Sequence, residues 1–234
     1  MSRVEVVEMM EKSKARIKIS LVLNIIISIL TAIGFFIAFS GIKFSKGIEP
    51  VLEESKMGMF KFFTVDSNLF MGIVALIFAL CEIKILKDNR KSISSRLYKL
   101  KFMATIGVFL TFAVVFIYLG PVSPGGINSM LMNSNLFFHL FIPVLSIINF
   151  MFIERCNKIN FKDTLLGLVP MALYGIYYIV NVFTHIENGA VSPKYDFYWF
   201  IQDGLHLAFV VPPLIALLTY ILSVITWRVN RVNK

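Results

Sequence analysis

The sequence predicts an all-α integral membrane protein, a bundle of six transmembrane helices with both termini in the cytoplasm. Of its 234 residues, 57% are hydrophobic and only 16% are charged, whereas charged residues make up roughly 25% of soluble domains. The mean hydropathy is +0.77. Six apolar stretches are each long enough to cross a bilayer, which takes about 20 residues of helix.

These stretches lie near residues 19–41, 64–86, 102–119, 135–153, 164–184 and 204–227. Each is expected to be helical, because a chain in lipid must pair its backbone polar groups internally. The connections are short, so residues 1–234 are predicted to form a single transmembrane domain. Within residues 1–16, Val and Met alternate with Glu and Lys at helical spacing. This pattern predicts either an interfacial helix that leads into the first span or a polar tail.

Lys and Arg residues are distributed unevenly between the connections. Eighteen of the 23 precede the first span, follow the sixth, or lie in the second or fourth connection. By the positive-inside rule, both termini then face the cytoplasm. The net charge of +9 is accounted for by this topology, so no nucleic-acid partner is expected. A bacterial cytoplasmic membrane is the expected location, with membrane lipids as neighbours.

Polar side chains gather at the outer ends of the predicted spans. Thr64 and Asn68 are four residues apart and share a helix face, as do Asn135 and His139. Polar groups inside a membrane are costly, which favours a functional role. We therefore expect a polar pocket that opens toward the outer leaflet. The other outer polar residues are Asp66, Ser67, Asn181, His185, Asp203 and His206. In the cytoplasmic halves we expect only Glu82 and Glu154, near the basic ends.

A hydroxyl and an imidazole in apolar surroundings are the minimum parts for nucleophilic cleavage of an ester. His139 is a suitable base for Thr64, because neutral histidine can take the hydroxyl proton and return it to the leaving group. Thr64 could instead be a helix N-cap, and His139 a packing residue. Donors to the oxyanion would be side-chain amides or backbone amides at a helix start. The expected polar support comprises Asp66, Ser67, Asn68, Asn135 and His206.

Two other functions fit the same residues. Three histidines and two aspartates on the outer side permit a zinc-dependent, ceramidase-like hydrolase, but no closely spaced ligand pair is present. We therefore predict no metal and no cofactor. The repeat of Ser67–Phe70 at Ser134–Phe137 permits a lipid-binding or transport protein with internal symmetry. The uncharged connection within 120–130 is expected to be either a short outer turn or a lid over the site.

Two segments carry a resemblance to a known family. They read Phe-Phe-Thr-Val-Asp-Ser-Asn-Leu at 62–69 and Asn-Leu-Phe-Phe-His-Leu-Phe-Ile-Pro at 135–143. With the six-span layout, they resemble the androgen-induced-gene and androgen-dependent TFPI-regulating protein (ADTRP) family of membrane hydrolases and its bacterial relatives. The resemblance implies that Thr64 is the nucleophile and His139 the base, and that the substrate is a lipid ester such as a fatty acid ester of a hydroxy fatty acid. The segment at 195–199 lacks the proline expected after its tyrosine, so the substrate need not be the same.

Overall fold

The computed structural model describes residues 3–44, 51–88, 92–154, 158–201 and 203–232. Six long helices dominate it: α1 (Arg3–Ser40), α2 (Phe63–Asp88), α3 (Ser95–Val122), α4 (Asn133–Ile153), α5 (Phe161–Phe183) and α6 (Leu207–Val232). A 3-10 turn, Lys56–Lys61, precedes α2, and a short helix, Gly126–Ser129, lies between α3 and α4. Strands β1 (Ile186–Glu187) and β2 (Ala190–Val191) form a small antiparallel hairpin after α5.

All six helices are long and apolar enough to cross a membrane, as the sequence predicts. Their bounds differ most from the predicted ones in two places. Of the two alternatives for residues 1–16, the helix is the one observed from Arg3 onward, and it continues without a break into the first span, so α1 is one helix from Arg3 to Ser40. Helix α3 begins at Ser95 instead of residue 102, where Ser94 Oγ accepts the Leu97 N–H at 3.3 Å as an N-cap. Lys101 therefore lies inside α3 and not in the preceding connection.

Helix α3 is the centre of the bundle. In the most apolar 18-residue stretch of α3, 61% of the residues are buried, compared with 17% in the corresponding stretches of α5 and α6. Large apolar side chains, including Phe36, Leu173 and Phe209, instead cover the outside of the bundle. Such a surface suits contact with lipid better than contact with water.

The helices alternate in direction, so the starts of α1, α3 and α5 share one end of the bundle with the ends of α2, α4 and α6. Contacts confirm this arrangement: Ser20 of α1 bonds Glu82 of α2, and Asn230 of α6 bonds the Phe150 carbonyl of α4. We call this end, which carries most of the Lys and Arg residues, the basic end. Thr64 and His139 lie toward the opposite end.

At the opposite end, the first connection lies across the start of α4. Asn133 Nδ2 and Ser134 Oγ donate to the Glu53 carboxylate at 3.0 and 3.2 Å, and Asn135 Nδ2 donates to the Val51 carbonyl at 2.9 Å. Asn133 has a φ of 46°, a left-handed conformation that asparagine tolerates better than most residues. The second copy of the Ser-Asn-Leu-Phe repeat thus anchors a connection, which is a role the first copy does not share.

The connection at 120–130 folds inward at its second half. Ser129 and Met130 are fully buried, and Ser129 Oγ lies 2.7 Å from Ser123 Oγ. The Val51 N–H donates to the Ser129 carbonyl at 3.3 Å, so the first connection packs over this turn. This half of the connection is therefore part of the folded bundle and lies over α4.

Candidate active site

Thr64 lies in the first turn of α2, and two tyrosines from distant segments hold that turn. The Phe63 N–H donates to the Tyr198 hydroxyl at 2.9 Å, and the Tyr174 hydroxyl donates to the Lys61 carbonyl. Because α2 begins at Phe63, Thr64 is a helical residue and not the N-cap, which removes that alternative for its hydroxyl. Thr64 is buried, with 8% of its surface exposed.

His139 is held in one orientation by a backbone carbonyl. It lies in a π-helical turn of α4, Phe137–Phe141, and is 1% exposed. Its Nδ1 is 2.5 Å from the Met130 carbonyl oxygen. A carbonyl only accepts, so we assign the proton to Nδ1 and the lone pair to Nε2. This tautomer leaves Nε2 as the basic nitrogen, which is the role that a general base requires. Such π-turns are frequent at functional sites.

Asn68 links the two segments. Its Nδ2 donates to the Thr64 carbonyl at 2.7 Å and to the Phe138 carbonyl at 3.0 Å. One buried amide therefore holds the turn that carries Thr64 beside the turn that carries His139. Both amide hydrogens are used, so in this conformation Asn68 is a link between helices and not a donor to an oxyanion.

The other residues that were predicted to support the site differ in their surroundings. Ser67 Oγ is 3.1 Å from Thr111 Oγ1 of α3 and donates to the Thr64 carbonyl at 3.2 Å. Asn135 is bonded to the first connection, as described above. His206 and Asp203 are exposed just before α6, and Asp66 is half-buried on a different face of α2 from Thr64. The structure thus brings Ser67 and Asn68 close to Thr64, and it leaves His206 outside.

The histidines do not converge. His185 stacks on the Tyr195 ring, with ring centroids 3.6 Å apart, and its Nδ1 lies 2.7 Å from the Asn181 carbonyl. Within the ranges that the structure describes, no group of three or more His, Cys, Asp or Glu side chains is arranged to hold a metal ion.

Thr64 opens into an apolar cavity of about 100 Å³ between α3, α5 and α6. Nearly all of the cavity wall is apolar, as a site for a hydrocarbon chain requires. Its lining includes Thr64, Leu110, Val114, Tyr178, Tyr198 and Ile215. His139 does not line this cavity.

A second, more open groove of about 500 Å³ lies between α2, α3 and α5. Asp66 and Ser67 are its polar residues, and the strongly exposed Leu173 forms part of its rim. Phe63 and Tyr174 line both the groove and the Thr64 cavity. The two rings, whose centroids are 5.2 Å apart, are therefore shared by the groove and the cavity.

The tyrosines around Thr64 and their aspartate were not identified from the sequence. Asp196 is 2% exposed, and its oxygens accept the Phe200 and Ile201 N–H groups at 3.0 Å each and the Tyr178 hydroxyl. Tyr198 is buried against α2. Burial raises the pKa of Tyr198 to about 12, so its hydroxyl keeps its proton at neutral pH.

The basic end also differs from the prediction. Glu82 and Glu154 were expected either to reach the interface or to pair with neighbours, and Lys101 to lie in a connection. Glu154 does pair, with Lys101 Nζ 3.4 Å from its Oε1. All three residues are buried together inside the bundle, with Ser20 and Asn24 of α1 and Asn149 of α4. The helical spacing of Ser20 and Asn24, which puts two polar residues on one face of an apolar span, was the available signal.

Comparisons with known proteins do not assign this chain to a family, so only its fold defines its class. No family model, no curated protein and no solved structure matches this chain. The fold defines a bundle of six helices apolar enough to span a membrane. Its polar motifs are joined by Asn68 beside an apolar cavity.

Proposed function

We propose that this chain is an intramembrane lipid ester hydrolase, with Thr64 as the nucleophile and His139 as the general base. The observation that carries the proposal is the double hydrogen bond of Asn68, which ties the Thr64 turn to the His139 turn. The fixed Nδ1–H of His139 supports it, because Nε2 is left with the lone pair. The family resemblance points to the same two residues.

The reaction follows from these groups. His139 Nε2 takes the proton of the Thr64 hydroxyl as the oxygen attacks the ester carbonyl. The tetrahedral intermediate collapses to an acyl-threonine, and the alkoxide leaves with the proton from His139. Water, deprotonated by the same nitrogen, then attacks the acyl-threonine. The Thr64 oxygen leaves with that proton from His139, which restores the hydroxyl and releases the fatty acid. Contact between Nε2 and the hydroxyl, direct or through one water, is expected to form once substrate is bound.

The two cavities support a lipid as the substrate. The apolar cavity at Thr64 would hold the acyl chain, with the ester carbonyl at its polar end. The groove between α2, α3 and α5 opens toward the side of the bundle, where lipid would surround it. A substrate that enters from the bilayer would pass between Phe63 and Tyr174. No cofactor takes part in this reaction scheme.

A fluorophosphonate probe tests the proposal, because it labels an activated hydroxyl nucleophile covalently. We expect labelling of the purified protein and hydrolysis of long-chain and branched fatty acid esters, both unchanged by a metal chelator. Peptide mapping is expected to find the probe on Thr64. Loss of activity on chelation, with about one zinc per chain, would establish the zinc hydrolase instead. No labelling and no turnover of any ester would favour lipid binding or transport.

We also propose that the basic end faces the cytoplasm and that the candidate site faces the outer leaflet. Single cysteines introduced at residues 124, 125 and 128 should react with a membrane-impermeant maleimide on intact cells, because these positions lie in the connection at the opposite end and are not buried. Cysteines at residues 92 and 94, which are exposed, should react only after the cells are opened. Cys81→Ser and Cys156→Ser provide the background for both sets. The reverse pattern of labelling would invert the orientation.

A further inference from the structure

Six polar side chains meet inside the bundle at its basic end, on the side away from Thr64. We call this group the basic-end cluster. Each member is at most 5% exposed. The group draws on the first four helices and on the residue that follows α4. Its members are Ser20, Asn24, Glu82, Lys101, Asn149 and Glu154.

The two carboxylates of the cluster are close neighbours. Ser20 Oγ lies 2.5 Å from Glu82 Oε1 and 3.1 Å from Glu154 Oε1. Asn24 Nδ2 donates to Glu82 Oε2 at 3.0 Å and to Glu154 Oε1 at 2.9 Å. One hydroxyl and one amide thus bridge both carboxylates, and no bulk solvent separates them.

The charges of the cluster do not balance. Its titratable groups are Glu82 on α2, Lys101 on α3 and Glu154 after α4, whereas α1 and α6 contribute the neutral Ser20, Asn24 and Asn230. Lys101 Nζ lies 3.4 Å from Glu154 Oε1 and donates to Asn24 Oδ1. One ammonium neutralises one carboxylate. Within the described part of the chain, an unpaired negative charge would therefore remain buried, which is costly.

Two unpartnered atoms indicate what completes the cluster. Glu154 Oε2 and Asn149 Oδ1 are buried acceptors without a hydrogen-bond partner among the described residues. Their side chains already bond through other atoms, because Asn149 Nδ2 donates to Glu154 Oε1 at 2.8 Å. The π-helical turn Asn149–Ile153 brings them together, with the Glu154 N–H donating to the Asn149 carbonyl at 2.8 Å. A proton on Oε2 would remove the excess charge and also turn an orphaned acceptor into a donor.

We propose that the basic-end cluster is a proton-binding site. One exchangeable proton resides on Oε2 of Glu154, with Asn149 Oδ1 as its acceptor. With the proton bound, the cluster has no net charge, because the negative charge of Glu82 balances the positive charge of Lys101. When the proton leaves, two carboxylates are bridged by Ser20 and only one ammonium is present in the cluster. The repulsion between the two carboxylates opposes the packing of α1 against α2 and α4. Proton binding at this end thereby couples the packing of four helices to the proton concentration on that side.

Infrared spectroscopy of the full chain in lipid nanodiscs detects the proton through the carbonyl stretch of a carboxylic acid, which shifts when H₂O is replaced by D₂O. The wild type should show this band. Glu82→Gln and Glu154→Gln should each lose it, because one carboxylate then matches one ammonium. Lys101→Met should strengthen the band, because two carboxylates then need two protons. Glu53→Gln, at the opposite end, is the matched control and should leave the band unchanged.

Asn149→Leu locates the proton. If Oε2 donates to Asn149, the band should persist in this variant but move to higher frequency, because the acid has lost its acceptor. An unmoved band would contradict the assignment to Glu154. If neither Glu82→Gln nor Glu154→Gln loses the carboxylic acid band, the proton site is wrong. In that case, a rise in thermal stability on replacing N-methylglucamine by Na⁺ would identify a metal cation as the missing charge.

Discussion

Thr64→Val is expected to reduce hydrolysis of a long-chain lipid ester by more than about 1,000-fold. Valine keeps the shape of threonine and removes only the hydroxyl, so the cavity wall is preserved. Thr64→Ser retains a nucleophile and should keep part of the activity. The matched control is Thr111→Val, because Thr111 is also a buried threonine that lines the same cavity. This variant should lose a hydrogen bond to Ser67, with only a small change in rate.

His139→Asn is expected to reduce the rate as much as Thr64→Val, because a nucleophile and its base act as one unit. Asparagine can still donate an N–H to the Met130 carbonyl, but it offers no basic nitrogen in place of Nε2. The double variant should be no slower than either single variant. Thermal unfolding in detergent checks that each variant is folded. Wild-type turnover by Thr64→Val would eliminate Thr64 as the nucleophile and make Ser67 the next candidate.

The parts of the fold that the sequence predicted are those with local signals. Long apolar runs marked all six helices, and the i, i+4 spacings put Thr64 beside Asn68 and Asn135 near His139. The link between these pairs was only partly foreseen. Asn68 was expected to donate to an oxyanion or to give other polar support to the site, whereas it joins α2 to α4 across 70 residues of sequence. An asparagine at such a position has the same local pattern in either role.

The surroundings of the site depend on contacts that leave no periodic pattern. The Tyr198 hydroxyl reaches the Phe63 N–H across 135 residues, and Ser20 reaches Glu154 across 134. Tyr198 follows Asp196 in a polar segment, which is also typical of a membrane interface. The positive-inside rule counts lysines without regard to burial, so Lys101 contributed to the topology prediction in the same way as its exposed neighbours.

The second large effect is expected at Lys101. Its side chain is fully buried, lies against Glu154 and Asn24, and has its ammonium 5.0 Å from the centre of the Phe78 ring. Lys101→Met keeps the length and apolar volume of the side chain but removes the cation from two buried carboxylates. Removing one partner of a buried ion pair costs about 3–5 kcal/mol. For a chain of this size, that corresponds to a fall of roughly 6–20 °C in the thermal midpoint.

Lys99→Met is the matched control two residues away on the same helix. Lys99 pairs with Asp163 at 2.7 Å, but its side chain is 34% exposed. An ion pair with this much exposure contributes about 0–1 kcal/mol, so the midpoint should hardly change. If Lys101→Met and Lys99→Met lower the thermal midpoint by the same small amount, the buried ammonium of Lys101 has no stabilising role.

The fall in the thermal midpoint caused by Lys101→Met should also depend on pH in a defined direction. Without the ammonium, the two carboxylates can be neutralised only by protons, which are more available at low pH. The difference in midpoint between Lys101→Met and the wild type should therefore shrink as the pH falls and grow as it rises. Adding Glu82→Gln removes one of the uncompensated charges and should restore part of the stability at neutral pH. A deficit that is the same at every pH and in the double variant would attribute the loss to packing against Phe78 instead of to charge.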